Sequence, residues 1–237
     1  MSAAREKIVG VIGGMGPEAT VEFQRRLIAA TPARDDADHI RVLVDNNPKI
    51  PSRLAALLEG GGEDPAPVLI AMAKGLERQG ADFLVIPCNT AHYYLPAIAR
   101  EVDIPLLDMV ALSIARLGAL SPVPKRVGMF ASPAVRLVGL YESRLRDAGY
   151  AAVFPDAENE AKILGVIRAV KAGDADERQR RDYAQVAQTL TNAGADAFLI
   201  ACTELSIIGP PDGATRPSVD ALDVLVAATI AAARSTS

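Results

Sequence analysis

Residues Gly80–Thr90 read GADFLVIPCNT, and residues Gly194–Glu204 read GADAFLIACTE. In each segment a cysteine, Cys88 or Cys202, stands eight residues after the glycine and closes an apolar run. A short apolar run that ends in small polar residues is typical of a buried strand in a parallel sheet. The two segments therefore predict two α/β halves of similar construction.

The similarity extends beyond the cysteines. Lys7–Gly10 reads KIVG and Lys125–Gly128 reads KRVG, while FQRRL at Phe23–Leu27 matches YESRL at Tyr141–Leu145. Three matches in the same order and at nearly constant spacing favour a duplication over chance in an alanine-rich chain. The break falls near Gly118–Lys125, because the prolines of Ser121–Pro124 interrupt any helix there. We predict a first domain of residues 1–118, to which residues 213–237 return, and a second domain of residues 119–212.

Short apolar runs alternate with helical patterns, which indicates βα units on parallel sheets. The predicted strands are Lys7–Ile12, His39–Val44, Phe83–Pro87, Pro105–Leu107, Arg126–Ala131, Ala151–Phe154 and Ala197–Ala201. The predicted helices are Pro17–Ala30, Pro65–Gln79 capped by Asp64, His92–Glu101, Asp108–Ala119, Pro133–Ala148, Glu158–Lys171, Asp174–Ala193 and a last helix from Asp220 towards Ala233.

Composition narrows the function classes. Half of the 237 residues are hydrophobic and 23% are charged, which predicts a packed core. The net charge of −4 gives no electrostatic footprint for nucleic acid, and no apolar stretch reaches the roughly 18 residues of a membrane helix. Two cysteines do not make a disulfide framework, and two histidines without a Cys-x-x-Cys pair argue against a metal site. We expect a cytoplasmic protein with reduced thiols, because the N-terminus lacks a secretory pattern.

The cysteines are the main candidates for chemistry. In open parallel sheets ligands bind beyond the carboxyl ends of the strands, where Cys88 and Cys202 are both predicted, and a helix N-terminus stabilises a thiolate. Free cysteines are more often small buried hydrophobic residues, but the paired placement favours a function. A racemase without a cofactor needs this arrangement, because one thiolate removes the α-proton and a thiol on the opposite face returns one.

Polar residues follow both cysteines. Asn89 and Thr90 follow Cys88, while Thr203 and Glu204 follow Cys202. Their amide and hydroxyl groups suit a substrate carboxylate or ammonium, although ordinary helix capping explains such residues equally well. Glu204 is interpreted either as a group that orients its neighbours or as a solvated surface carboxylate.

The first loop has three glycines at Gly13–Gly16, and Ala19 follows. Its pattern is a loose match to the dinucleotide-binding fingerprint, but Asp45 comes too late in the chain and Pro17 lacks an N–H. We interpret the loop as a close backbone approach to a small anion or as a tight turn without a ligand.

Two cationic side chains are candidates for binding a second carboxylate of the substrate. Pro48 and Pro51 stiffen the loop before Arg53, whose planar guanidinium suits a carboxylate, although arginine at a helix start is commonly exposed. Lys171 stands in the last turn of a predicted helix, where lysine ordinarily complements the helix dipole. His92 either hydrogen-bonds within the first-half site or faces solvent.

Three motifs carry a family resemblance. GGMGPEAT at Gly13–Thr20, PCNTAH at Pro87–His92 and ACTEL at Ala201–Leu205 resemble the aspartate/glutamate racemase family, on its aspartate-racemase branch. The resemblance implies two flavodoxin-like α/β domains related by pseudo-two-fold symmetry, with the active site in the interdomain cleft. It also implies no cofactor and commonly a homodimer.

The resemblance assigns roles to matching residues. Cys88 and Cys202 match the catalytic acid/base cysteines, and Arg53 and Lys171 match positions that hold the side-chain carboxylate. The residues that match the substrate cradle are Met15, Asn89, Thr90 and Thr203. One departure concerns Ser52, because many aspartate racemases have an aspartate immediately before the arginine.

The sequence thus predicts an isomerase that racemises an acidic amino acid, aspartate ahead of glutamate, without a cofactor or a metal. The expected partner is a small amino-acid substrate, with no role for nucleic acid or membrane. Two alternatives remain: an isomerase of a small dicarboxylate such as maleate, which would use a nucleophilic cysteine, and a protein that binds a dicarboxylate without chemistry.

Overall fold

The computed structural model describes residues 6–58 and 61–235. The chain forms two compact units. The first contains the described residues up to Met109 and those from Leu222 onward, and the second is Val110–Ala221. Each unit has its own parallel sheet with helices against it, so the predicted α/β class is confirmed.

The first unit contains a three-stranded sheet. Strand β1, Val9–Gly13, lies between β2, Val42–Asn46, and β3, Phe83–Val85, and all pairings are parallel. Every residue of β1 is buried, as expected for an apolar strand that is covered on both faces. Leu106 adds a single parallel bridge to Leu84, where a further strand was predicted.

The second unit contains a four-stranded sheet in the order β5-β4-β6-β7. Its strands are β4, Arg126–Ala131; β5, Ala151–Val153; β6, Ala197–Ala201; and β7, Ser218–Asp220. Strand β7 was not predicted, because three residues with one buried side chain, Val219, give no periodic signal. Its pairing with β6 places Asp220 opposite Ile200, near the carboxyl end of the central strands.

The α-helices, in chain order, are α1 Pro17–Ala30, α2 Arg53–Leu58, α3 Ala66–Arg78, α4 Leu95–Ala99, α5 Met109–Leu117, α6 Pro133–Leu137, α7 Glu142–Asp147, α8 Ala157–Ala172, α9 Glu177–Asn192, α10 Thr203–Ile208 and α11 Ala221–Arg234. Short 3₁₀ helices span Asp36–Asp38 and Thr90–Tyr94. No helix in the described parts of the chain is long and apolar enough to cross a membrane.

Two predicted helices differ from the observed ones. The pattern over Pro133–Ala148 predicted one helix, whereas the chain forms α6 and α7 on either side of Gly139, which has φ +61°. A left-handed residue ends a helix, and glycine adopts that conformation at little cost. The helix predicted from His92 begins instead as the 3₁₀ turn Thr90–Tyr94 and becomes α-helical only at Leu95.

The duplicated Gly-Ala-Asp has the same structural role in both units. The carboxylate of Asp82 accepts the N–H of Ile8 at 2.6 Å, and that of Asp196 accepts the N–H groups of Lys125 and Arg126 at 2.9 and 3.0 Å. Each aspartate therefore fastens the chain at the start of the neighbouring central strand. The glycines two residues earlier both have φ near +90° and turn the chain from a helix into the strand.

The C-terminal helix packs in the first unit. The N–H of Lys7 donates to the carbonyl of Ala233 at 2.9 Å, and Arg26 of α1 forms a 2.7 Å ion pair with Asp223 of α11. Leu225, which is fully buried, lies on the same helix. These contacts join the last helix to helix α1 and to the segment just before strand β1.

Candidate active site

Cys88 lies three residues beyond the end of β3, at the carboxyl edge of the first sheet. It is 9% exposed and belongs to an apolar cluster that also contains Met15, Ile50 and Ile86. Met15 comes two residues after β1, so the two adjacent strands bring both predicted site residues to the same edge. The thiol is thus largely, but not completely, withdrawn from water.

His92 holds the backbone of Cys88. The imidazole is buried, its Nδ1 lies 2.9 Å from the carbonyl oxygen of Cys88, and its Nε2 lies 3.1 Å from the backbone nitrogen of Met109. A backbone N–H can only donate, so Nε2 accepts and the ring proton resides on Nδ1, which donates to Cys88. Of the two alternatives for His92, the one within the site is correct.

The glycine loop after β1 packs against the protein itself. Gly14 has φ +94°, and a Cβ there would clash with the carbonyl oxygen of Asn47, just beyond β2. Thr20 steadies the loop, because its hydroxyl accepts the N–H of Gly14 at 2.9 Å. The glycine is required by this internal approach, which favours the tight turn over an anion-binding loop and places Met15 beside Cys88.

Arg53 begins α2 and is half-buried. Its Nη1 donates to the carbonyl oxygen of Pro51 at 3.1 Å, and Ser52 caps the helix by accepting the N–H of Ala55 at 3.2 Å. A serine therefore caps the helix at the position where many aspartate racemases have an aspartate. Arg53 is the first residue of the helix that this serine caps.

The guanidinium of Arg53 also influences Tyr94. Burial, followed by the negative charge of Asp64, raises the pKa of Tyr94 above its usual value, whereas the positive charge of Arg53 lowers it. Arg53, Tyr94 and Asp64 therefore share one electrostatic environment in the first unit.

Cys202 is the N-cap residue of α10 and follows β6 directly. It is 7% exposed, and its Sγ lies 3.1 Å from Oε2 of Glu204, within the range of a hydrogen bond from a thiol to a carboxylate. Glu204 is itself buried, so the interpretation of a solvated surface carboxylate is wrong. Its carboxylate is a direct partner of the second cysteine.

Lys171 is the cationic partner of Glu204. Its Nζ lies 3.5 Å from Oε1 of Glu204, and its side chain is 40% exposed. Oε1 has no hydrogen-bond partner among the described residues, so this contact is an ion pair without hydrogen-bond geometry. Lysine, carboxylate and thiol therefore form the chain Lys171–Glu204–Cys202 within the second unit.

The remaining predicted residues lie beside the cysteines. Asn89 and Thr203 are buried, and Thr90 is partly exposed. Asn89 is the N-cap of the 3₁₀ turn Thr90–Tyr94, but its side chain makes no capping hydrogen bond. Capping therefore does not account for Asn89.

Sequence reasoning missed two groups near Cys202. Tyr183 of α9 is buried, and its hydroxyl has no hydrogen-bond partner in the described parts of the chain. Burial raises the pKa of Tyr183 well above its usual value, and the nearby Asp220 and Cys202 add to that effect. The carboxylate of Asp220 accepts the hydroxyl of Ser206 at 2.7 Å. No motif marks either residue, because Tyr183 approaches Cys202 and Asp220 approaches Tyr183 only through packing.

Each unit thus has one cysteine with polar residues just beyond a strand of its own sheet, and one predicted cation, Arg53 or Lys171, on a helix. The predicted site residues are divided between the units. The first unit contains Met15, Arg53, Cys88, Asn89 and Thr90, and the second contains Lys171, Cys202 and Thr203. Within the described residues, no group of three or more histidine, cysteine or carboxylate side chains is arranged to hold a metal ion.

Known proteins share this sequence and architecture. The Asp/Glu/hydantoin racemase family model matches residues 12–229. The broad specificity amino-acid racemase RacX of Bacillus subtilis is 24% identical over 227 residues, which are 94% of this chain and 96% of RacX. The chain therefore has a full-length curated relative among the racemases.

Two solved structures extend the comparison. An aspartate racemase from Picrophilus torridus superposes with a TM-score of 0.81 at 32% identity, covering 96% of this chain and 94% of that one. An aspartate racemase homologue from Pyrococcus horikoshii gives a TM-score of 0.78 at 20% identity, with coverages of 97% and 100%, and supports the fold alone. The chain belongs to the Asp/Glu/hydantoin racemase family of isomerases.

Proposed function

We propose that the protein racemises an acidic amino acid without a cofactor, with aspartate as the preferred substrate and glutamate second. The observation that carries the proposal is the recurrence of a cysteine at the carboxyl edge of both sheets, one beside a histidine-fixed turn and the other beside a buried carboxylate. The resemblance to the aspartate racemase of P. torridus supports the choice of substrate class, and RacX makes wider specificity the main alternative within the family.

In the proposed reaction the two thiols act on opposite faces of one α-carbon. In one direction the thiolate of Cys88 removes the α-proton, and the thiol of Cys202 delivers its own proton to the other face. Reversal of the reaction exchanges the two roles. Negative charge spreads onto the α-carboxylate as the C–H bond breaks, so donors aimed at that carboxylate stabilise the transition state. Asn89, Thr90 and Thr203 supply such donors, and Met15 packs beside Cys88.

Arg53 and Lys171 are proposed to bind the side-chain carboxylate of the substrate. Arg53 is half-buried and presents a planar fork of N–H donors, which suits a carboxylate. Lys171 is partly exposed and has three N–H donors, so a substrate carboxylate can share the ammonium with Glu204. A homodimer and a cytoplasmic location belong to the same proposal.

The test is solvent deuterium exchange. The purified protein is incubated in D₂O with each enantiomer of aspartate, glutamate and alanine, and with maleate. Loss of the α-proton signal in NMR and formation of the other enantiomer on a chiral column are expected first for aspartate.

Each alternative gives a different result. Conversion of maleate with a mass adduct on one cysteine supports the dicarboxylate isomerase. Tight dicarboxylate binding without α-exchange supports a binding protein. Equal rates for alanine and aspartate overturn the acidic-substrate proposal while leaving racemisation in place.

A further inference from the structure

We propose that Glu204 is a positioning residue that favours the protonated form of Cys202 in the resting enzyme, so that Cys202 starts turnover as the proton donor. The proposal rests on the function proposed above, because it assigns starting roles within that proton relay. In the duplication, Glu204 corresponds to Thr90, so only the second half has a carboxylate two residues after its cysteine.

The geometry gives the direction of the effect. The Sγ of Cys202 lies 3.1 Å from a carboxylate oxygen of Glu204, and both side chains are buried. A thiol is a much weaker acid than a carboxylic acid, so the proton that the two groups share stays on sulfur. A hydrogen bond from the neutral thiol, and repulsion between the carboxylate and a thiolate, both favour the protonated form of the cysteine.

The charges around Cys202 come from several elements of the second unit. Glu204 is on α10, and Lys171 of α8 partly offsets its charge, because the ammonium is 3.5 Å away and partly exposed. Asp220, at the end of β7, acts on Tyr183 together with Cys202, and burial keeps the Tyr183 hydroxyl neutral. The N-terminus of α10, of which Cys202 is the N-cap, favours a thiolate, but this helix has only six residues and its partial charge opposes the full charge of Glu204 in direct contact with the sulfur. The carboxylate therefore decides the sign, and the environment within this unit disfavours a thiolate at Cys202.

The proton balance follows from this asymmetry. When Cys202 delivers its proton, its S–H bond breaks, a C–H bond forms on the substrate, and a thiolate remains beside Glu204. The proton taken from the substrate is then on Cys88. Repulsion from Glu204 favours the return of a proton to Cys202. Transfer of one proton from Cys88 to water and of one proton from water to Cys202 restores the starting enzyme.

The test measures the reactivity of Cys202 and does not require racemase activity. In the full chain with Cys88→Ser, the rate of iodoacetamide alkylation of Cys202 is followed by mass spectrometry from pH 6 to 10. Adding Glu204→Gln, which keeps the shape but removes the charge, is expected to raise the rate at pH 7 about tenfold, equivalent to moving the midpoint down by about one pH unit. Glu204→Asp retains the charge and is expected to restore most of the parent behaviour.

Glu158→Gln is the matched control, because Glu158 is an exposed carboxylate of the same unit that pairs with Lys162. It is expected to leave the alkylation curve in place. An unchanged or slower alkylation of Cys202 in the Glu204→Gln protein overturns the proposal.

A third variant covers the case in which Glu204→Gln does not fold. Lys171→Met removes the offsetting cation and is expected to slow alkylation at pH 7, and an unchanged or faster rate contradicts the proposal. Failure of the proposed function is recognised separately, because α-exchange is measured in the protein that has both cysteines. If the alkylation shift is found in the Cys88→Ser background but the protein with both cysteines exchanges no α-proton, the effect of Glu204 stands and the racemase proposal fails.

Discussion

The carbonyl oxygen of Cys88 lies 2.9 Å from Nδ1 of His92, and the other nitrogen of that ring accepts the backbone N–H of Met109. The imidazole is buried and links the turn that bears the first cysteine to the start of α5. Because both ring nitrogens are engaged, the side chain fixes the position of the Cys88 backbone. We therefore expect His92 to act through Cys88 rather than on the substrate.

Replacing His92 tests this relationship. His92→Phe keeps a ring but removes the hydrogen bonds that the imidazole makes to a buried carbonyl and a buried N–H, which costs about 1–3 kcal/mol of unfolding free energy. His92→Asn retains a donor that can reach the Cys88 carbonyl and is expected to lose less. Urea unfolding measures the stability, and alkylation of Cys88 in a Cys202→Ser background reports the position of the thiol.

His39 provides the control for that experiment. It is partly exposed, and its Nδ1 has no hydrogen-bond partner in the described parts of the chain. His39→Asn is expected to change the unfolding free energy by less than about 0.5 kcal/mol. If His92→Phe is equally harmless, His92 does not hold the first cysteine.

The two cysteines themselves give the second prediction. In a two-base mechanism, Cys88→Ser and Cys202→Ser should each lower kcat for aspartate racemisation by about 10²–10⁴-fold, because each removes one proton-transfer group. Chiral chromatography of the product measures the rate. A variant that retains near-normal turnover would show that only one cysteine is needed, as in a mechanism of nucleophilic attack.

Specificity gives the third prediction. Arg53→Met and Lys171→Met should each reduce kcat/KM for aspartate about 10–100-fold more than for alanine, because a hydrogen bond to a charged group contributes about 1.5–3 kcal/mol. Lys49→Met, an exposed cation in the loop before Arg53, serves as control and should leave the ratio unchanged. Equal losses of kcat/KM for aspartate and alanine would mean that neither cation binds the side-chain carboxylate of aspartate.

The sequence predicted the parts of the fold that depend on local pattern. The central strands around Val11 and Leu199 were found because they are apolar on both faces, and the duplicated Gly-Ala-Asp was visible because each copy must turn the chain and fasten a strand. Strand β7 was missed because its pairing with β6 depends on residues about twenty positions away.

The candidate site was predictable only in part, for a similar reason. Cys88 and Cys202 are marked by motifs, whereas the link from Lys171 to Glu204 joins two helices more than thirty residues apart. Tyr183 approaches Cys202 from a third helix and resembles any core aromatic residue in the sequence. Contacts that depend on how helices pack over a sheet leave no local signal.

Tyr183 gives the last prediction. Its buried hydroxyl has no hydrogen-bond partner among the described residues, so removing it by Tyr183→Phe should leave the unfolding free energy at pH 8 unchanged or raise it by up to about 1 kcal/mol. The pKa of Tyr183 is raised in the folded protein. Below about pH 10 the phenol is therefore neutral in both the folded and the unfolded states, and its ionisation does not change the unfolding free energy. Above that pH the unfolded chain loses the proton first, so stability declines as pH rises.

The unfolding free energy of the Tyr183→Phe protein should therefore fall less between pH 8 and pH 11 than that of the parent protein. Urea unfolding at the two pH values measures both changes. Tyr93→Phe alters an exposed tyrosine and should show the parent's decline. A destabilised Tyr183→Phe protein at pH 8 would indicate that the hydroxyl has a polar partner in solution. With no such partner, burial of the hydroxyl lowers the unfolding free energy of the protein, and the hydroxyl responsible lies near the second cysteine.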